Sequence, residues 1–282
     1  MGVATWKDLC LDAADPAVVG RFWARVLGRP LKLLDDGDAV LRGGPLQALW
    51  INRVPEPKVA KNRVHLDLYG RDPADLVALG ATILDDHGRW VVLGDPEGNE
   101  LCLFADPGDR AEAAAPARPF ALCVDSARPE ELAAWWAAVL DGAVGQRPDG
   151  NPRWVHGGAG LGALILKCVP VTDERAAKNR CHWDVTTDDV GHLVDAGATV
   201  LRPRDSEISW TGPGRPRGQR VLRLHPLAAH PVASRRGGRL HGRGAGSGAV
   251  SLTAPPRLAS SGTSPAMCGT SMPTVTVPCS RS

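Results

Sequence analysis

Apolar residues recur at i, i+3, i+4, i+7 and i+8 in two stretches of the chain. In DPAVVGRFWARVLG (15–28) they are Val19, Phe22, Trp23, Val26 and Leu27. In RPEELAAWWAAVLDG (128–142) they are Leu132, Trp135, Trp136, Val139 and Leu140. Each pattern predicts an amphipathic helix with one buried face. Pro16 and Pro129 fall in the first turn, where a missing N–H costs nothing. Around the first helix the period changes to two, which predicts strands at Trp6–Asp12, Ala39–Arg42 and Leu46–Arg53. The plan then restarts: a strand at Arg63–Tyr69, a short helix at Pro73–Leu79, and strands at Ala81–Leu84, Trp90–Leu93 and Glu100–Phe104. Each copy therefore reads as two strand–helix–strands units, an α+β arrangement. Two such half-barrels facing one another within a domain would enclose a cleft, with the helices outside.

The helix is not the only block that occurs twice. AKNRVHLDL (60–68) returns as AKNRCHWDV (177–185), and GATIL (80–84) as GATVL (197–201). The offset drifts from 113 to 117, as small loop insertions would produce. Matched blocks in the same order identify two diverged copies of one domain. The predicted boundaries are 1–106 and 119–211, joined by a linker at 107–118, with a tail at 212–282.

Composition separates the tail from the body. The chain carries a net charge of +2, yet residues 212–282 hold ten arginines and no Asp, Glu or Lys. The first 211 residues keep 23 basic groups against 31 acidic ones, a net charge of −8. An acidic body argues against a nucleic-acid partner, since phosphate binding wants a basic footprint. The seven cysteines are odd in number and never at C-x-x-C spacing, which fits reduced thiols in a cytoplasmic protein. No basic-then-apolar leader opens the chain and no apolar run is long enough for a membrane span.

The combination DPxxxxxFWxxVLGR, KNRVHLDL, GAT and DPEGNELCLF resembles the vicinal-oxygen-chelate superfamily, in particular its small bacterial glyoxalase-like and bleomycin-resistance-like branch. The resemblance covers residues 5–105 and most of 119–211. It implies tandem domains, each of two βαβββ units forming a half-barrel cleft. It leaves function open, because such a fold hosts many chemistries.

Strand alternation sorts the side chains of the first copy. Val64, Leu66 and Leu68 suit the helix-covered face, leaving His65, Asp67 and Tyr69 for the cleft. By the same logic Asp8, Cys10 and Asp12, then Ala48, Trp50 and Asn52, then Glu100, Cys102 and Phe104 face inward. The resemblance places metal ligands on the first and last strands of each unit, here Asp8, Trp50, His65 and Glu100. Trp50 cannot ligate, so the implied metal set is His65, Glu100 and Asp8, with Glu100 also the catalytic candidate. One imidazole and two carboxylates suit a divalent ion (Fe, Mn, Ni or Zn) that polarises vicinal substrate oxygens for lyase, isomerase or dioxygenase chemistry. Trp50, Asp67, Tyr69, Cys102 and Arg63 are the candidate substrate pocket. The alternative is a metal-free protein that sequesters a drug or metabolite. In either reading the partner is a small molecule, and a homodimer is compatible with both. The alternative reading of His65 is a hydrogen bond across the cleft, and that of Glu100 is a place after a turn whose Pro and Gly are explained by backbone geometry. The twice-occurring Lys-Asn-Arg (61–63, 178–180) reads either as an anion-orienting group or as a structural ion pair. In the second copy Ala121 replaces Asp8, Ile165 aligns with Trp50, and His182 alone keeps the place of His65.

After Thr211 the second copy should continue like Val92–Glu100, but it reads GPGRPRGQRVLRLHP (212–226). One permitted encoding of that segment, read one base later, gives VLADPEGNEFCVCT. This matches VLGDPEGNELCLF (92–104) at nine of thirteen positions. The residues beyond Thr211 therefore read as a frameshift product that leaves the second copy without its last strand. The alternative is an evolved basic, disordered tail that binds anions.

Overall fold

The computed structural model describes residues 2–108, 115–146, 150–172, 177–202, 220–224 and 251–252. Most of the predicted tail therefore lies outside the described residues. The first copy runs β1 (Thr5–Ala13), α1 (Pro16–Leu27), β2 (Leu31–Leu33), β3 (Ala39–Arg42) and β4 (Ala48–Arg53). Its second unit follows as β5 (Val64–Gly70), α2 (Pro73–Val77), β6 (Thr82–Asp86), β7 (Trp90–Gly94) and β8 (Glu100–Ala105). The second copy gives β9 (Ala117–Ser126), α3 (Pro129–Leu140), β10 (Ala143–Gln146), β11 (Pro152–His156) and β12 (Ile165–Pro170). It continues with β13 (Cys181–Thr187), α4 (Val190–Asp195) and β14 (Val200–Arg202), then β15 (Arg220–Leu224) and β16 (Ser251–Leu252).

Both long helices form where the apolar pattern places them. Asp15 caps α1 by accepting from the Ala17 and Val18 amides, each at 3.0 Å. The helix stops at Gly28, which takes the left-handed conformation at φ 59°. Val19, Phe22, Trp23, Val26 and Leu27 are buried as expected. Gly20 lets this helix lie close to its sheet, since a Cβ there would meet Leu31 Cδ1 at 2.8 Å.

The strands assemble across the repeat, and this corrects the expected architecture. One sheet has the order β14-β16-β15-β13-β1-β4-β3-β2, the other β10-β11-β12-β9-β5-β8-β7-β6. The two units of one copy thus do not enclose a cleft together. The first unit of the first copy shares a sheet with the second unit of the second copy, and the converse holds in the other sheet. The joints are antiparallel: β1 on β13, with Cys10 opposite His182, and β5 on β9, with His65 opposite Cys123. Sequence alternation could not reveal this, because it fixes which face a residue occupies but not which edge finds which partner.

The repeated Lys-Asn-Arg lies at those joints. Lys61 of the first copy pairs with Asp125 of the second at 3.0 Å, and Lys178 of the second with Asp12 of the first at 2.8 Å. The Arg63 carbonyl accepts from the Asp125 amide at 2.8 Å, and the Arg180 carbonyl from the Asp12 amide at 2.7 Å. The Arg63 amide donates to Asn179 Oδ1 at 3.3 Å, and the guanidinium lies 3.7 Å from Asp125. Arg63 is therefore part of a clasp between the copies. Arg180 donates to Glu97 Oε2 at 2.7 Å, and Glu97 also accepts from the Ala14 and Asp15 amides at 2.9 and 2.7 Å.

Three units close with their last strand parallel to their first: β4 to β1, β8 to β5 and β12 to β9. In the fourth, β15 lies antiparallel to β13, with Leu224 opposite Trp183. That place is held by residues of the segment predicted to be out of frame.

The clasp separates two costs. The lysine side chains are 57% exposed at Lys178 and 56% at Lys61, so water screens them. Lys178→Ala/Asp12→Asn, which removes the pair without leaving the buried Asp12 charge alone, should cost under about 1 kcal/mol. Arg180→Ala removes a buried guanidinium from Glu97, which keeps only the Ala14 and Asp15 amides, and should cost roughly 3 kcal/mol. Urea unfolding of both variants checks the order; equal losses would mean that the clasp is not held by its arginine.

Candidate functional site

The second sheet turns Leu66, Leu68, Leu101, Leu103, Leu122 and Val124 to its buried face, where none is more than 4% exposed. Alternation sends His65, Asp67, Tyr69, Cys102, Phe104, Phe120, Cys123 and Lys167 to the opposite, partly open face. These residues come from β5 and β8 of one copy and β9 and β12 of the other.

At the centre, Lys167 Nζ meets Asp67 Oδ2 at 2.8 Å, and the Cys123 thiol donates to the same oxygen at 3.1 Å. His65 Nε2 lies 3.5 Å from Asp67 Oδ1 and 3.5 Å from Cys102 Sγ. His65 Nδ1 and Asp67 Oδ1 are buried atoms without a hydrogen bond. Burial works against charge on His65. The Cys123 sulfur, the Asp67 carboxylate 3.5 Å from its Nε2 and the Cys102 sulfur outweigh it and hold its pKa well above 6.5. Burial would likewise raise Asp67, but His65 and the Lys167 ammonium hold it below 3.8. Burial pushes the Cys123 thiol up to about 12, so it stays protonated.

Aromatic rings surround this group. The Lys167 ammonium lies 4.3 Å from the Phe120 ring centroid, 5.2 Å from Phe104 and 5.3 Å from Trp154. Tyr69 stacks on Phe120 at 3.8 Å and Trp90 on Phe104 at 5.8 Å. Arg118 sits 4.7 Å above Tyr69 while paired to Asp106 at 3.0 Å. The face thus offers cations framed by flat apolar walls.

The expected ligand set does not assemble. Asp8 belongs to the other sheet, where Trp50 Nε1 donates to it at 3.1 Å and Lys7 pairs with it. Trp50 is accordingly remote from Asp67, Tyr69 and Cys102, which do come together. Glu100 accepts from Lys58 Nζ at 2.7 Å and from the Asn62 amide at 3.1 Å, so its carboxylate is turned to the loop before β5. Among the described residues, two groups bring ligand atoms within 4.8 Å of one another: His65, Asp67 and Cys123, and Cys10, His182 and Asp184. They are the same constellation in the two sheets, each with a cysteine from one copy and His-x-Asp from the other. Their faces have diverged at one position. Cys10 pairs in register with Trp50, whereas Cys123 pairs with Lys167. Lys167, not the aligned Ile165, is the structural counterpart of Trp50.

Cys123 and Lys167 were missed because each cleft was assigned to a single copy. The matched LCLD (9–12) and LCVD (122–125) were the available signal, since they put a cysteine on the same face twice. Trp6, by contrast, is core, 1% exposed and stacked on Trp183.

A metal does not suit the second-sheet group as it stands. An ammonium already neutralises Asp67 from 2.8 Å, and the cysteine is a high-pKa thiol. The Cys10–His182–Asp184 group offers a buried S, N and O donor set of the kind that suits a zinc-like ion.

Among curated proteins none matches the chain. Of solved structures, glyoxalase I from Zea mays is similar at 14% identity, over 89% of this chain and 92% of that one, with a TM-score of 0.53. A glyoxalase/bleomycin resistance protein from Albidiferax ferrireducens is similar at 20% identity, over 35% of this chain and 95% of that one, with a TM-score of 0.28. The maize likeness is one of fold. No described helix is long and apolar enough to cross a membrane. The glyoxalase-like domain family matches residues 8–104 and again 121–223, and the chain belongs to that family in tandem form.

Proposed function

We propose that the chain binds a small, flat, anionic molecule on the open face of its second sheet, without a metal. One observation carries this reading: the Lys167 ammonium, 2.8 Å from Asp67 and framed by Phe104, Phe120 and Trp154, lies beside a His65 held in its charged form. A carboxylate would accept from Lys167 while the rings cover its flat body. Asp67 sets the two cations in place and offsets only part of their charge. The site would draw on both copies, not on the first alone.

The second reading is a divalent ion, Fe, Mn, Ni or Zn, and it is confined to the first sheet. Cys10, His182 and Asp184 would hold it, and the ion would supply Lewis acidity toward a substrate oxygen. The lyase, isomerase or dioxygenase chemistry implied by the family resemblance would then depend on His182 and not on His65 or Glu100.

Binding should show as a thermal shift of the full chain with aromatic carboxylates and none with the matching amides. The Lys167→Met/Asp67→Asn double variant, which removes both members of the internal pair, should bind at least about tenfold more weakly. Unchanged affinity in that variant would sink the proposal.

Elemental analysis of the full chain separates the metal reading. Stoichiometric metal that is lost in His182→Ala and kept in His65→Ala supports the first-sheet site; metal lost only in His65→Ala reverses the assignment.

The titration of His65 gives a third outcome. Its folded pKa is raised, so its charged form adds stability that is complete below about pH 6.5 and lost as the pH rises through the higher folded value. The stability advantage of the wild type over His65→Gln should therefore be largest near about pH 6 and shrink toward about pH 9. An advantage that grew with pH would show that the imidazole is neutral in the fold.

A further inference from the structure

The D-P-E-G-N-E turn (95–100) satisfies a set of buried donors around α1 and the Lys-Asn-Arg clasp. Asp95 Oδ2 accepts from the Trp23 indole at 3.2 Å, and Asn99 Oδ1 accepts from Asn62 Nδ2 at 3.1 Å. Glu97 takes the two amides before α1 and the Arg180 guanidinium. Two of these donors have a counterpart in the second copy: Trp136 for Trp23 and Asn179 for Asn62.

The counterparts are in position but their acceptors are not. Trp136 Nε1 and Asn179 Nδ2 are buried donors with no hydrogen-bond partner, in residues 0% and 2% exposed. Such donors are rare in native folds, so two at symmetry-related places call for a common cause. Trp136 packs on Trp183 with ring centroids 5.0 Å apart, and Trp183 stacks on Trp6. Neither of those indoles has a partner for its N–H. At the start of α3, the Arg128 amide takes Ser126 Oγ, where α1 has the glutamate of the turn. The strand that should follow the turn is replaced by the antiparallel β15, unlike the parallel closing strands of the other three units.

We propose that the second copy carries a preformed socket, built around Trp136 and Asn179, whose occupant is an acidic D-P-E-G-N-E turn followed by a parallel strand. The occupant is VLADPEGNEFCVCT, the segment that one permitted encoding of residues 212–225 gives when read one base later. Its aspartate would accept from the Trp136 indole and its asparagine Oδ1 from Asn179 Nδ2. The sequence match and the orphaned donors are independent observations. One comes from the residues beyond Thr211, the other from side chains between residues 136 and 179.

The test adds the synthetic peptide VLADPEGNEFCVCT to the intact chain and follows its indole protons by NMR, with Trp136 assigned by Trp136→Phe. Binding should move the Trp136 indole proton downfield, as a new hydrogen bond deshields it, and raise the melting temperature. The same peptide with its aspartate replaced by alanine should leave the Trp136 signal in place. A second arm restores the frame in the gene, so that residue 211 is followed directly by the peptide sequence. The restored chain should show the same downfield signal and a higher melting temperature than the chain as it stands. A Trp136 signal unmoved in both arms overturns the proposal, as does an equal response to the aspartate and alanine peptides.

Discussion

The antiparallel joints β1–β13 and β5–β9 are the constraint on which the rest depends. Each copy offers two unpaired first strands, and a sheet edge left open exposes a row of unsatisfied backbone groups. Pairing the first unit of one copy with the second unit of the other closes both edges inside one chain. The same pairing places Cys10 against His182 and Cys123 against His65, so the joint and the candidate sites are one feature. The Lys-Asn-Arg clasp, used reciprocally, fixes the register of both joints through the Asp12 and Asp125 amides. A one-residue slip there would turn every cleft side chain into the core.

Much of the local structure was legible in the sequence, and for physical reasons. Periods of 3.6 and 2 report which side of an element meets the core, and they placed α1 and α3 and put His65, Asp67, Tyr69 and Cys102 on one open face. The repeat was legible too, because the same buried contacts must be made twice. Site composition was not, since it depends on which edges meet. Asp8, Trp50 and Glu100 were grouped with His65 by the family resemblance on top of alternation, and only the crossed pairing shows that Asp8 and Trp50 share a sheet with His182. Lys167 escaped for a subtler reason. The aligned ALWIN and ALILK blocks put Ile165 opposite Trp50, but the register of β12 on β9 is two residues different from that of β4 on β1. A shift of two keeps the face and changes the residue, which no hydropathy pattern can register.

The two clefts illustrate how one constellation can diverge. Both keep a cysteine and His-x-Asp at matching positions. In the second sheet a lysine reaches into the group and the nearby carboxylate pairs with it. In the first sheet the corresponding position is Trp50, which donates to Asp8 and brings no cation of its own. Charge at one register position separates the two faces.

Crossed pairing also decides which site depends on the far end of the chain. The lysine-containing face is assembled from β5 to β12, so every residue it uses precedes Val171. Its supports, the D-P-E-G-N-E turn and the Glu97–Arg180 contact, belong to the intact first copy and to the clasp. The first-sheet group instead rests on β13, whose free edge is covered by β15 in place of a parallel closing strand. Among the described residues, those beyond Thr211 thus bear on the Cys10–His182–Asp184 sheet. A duplication that paired each half with its own neighbour would have placed them and one whole cleft in the same half. Here they enter one sheet as β15 and β16, and the other sheet is built of strands that all precede Val171.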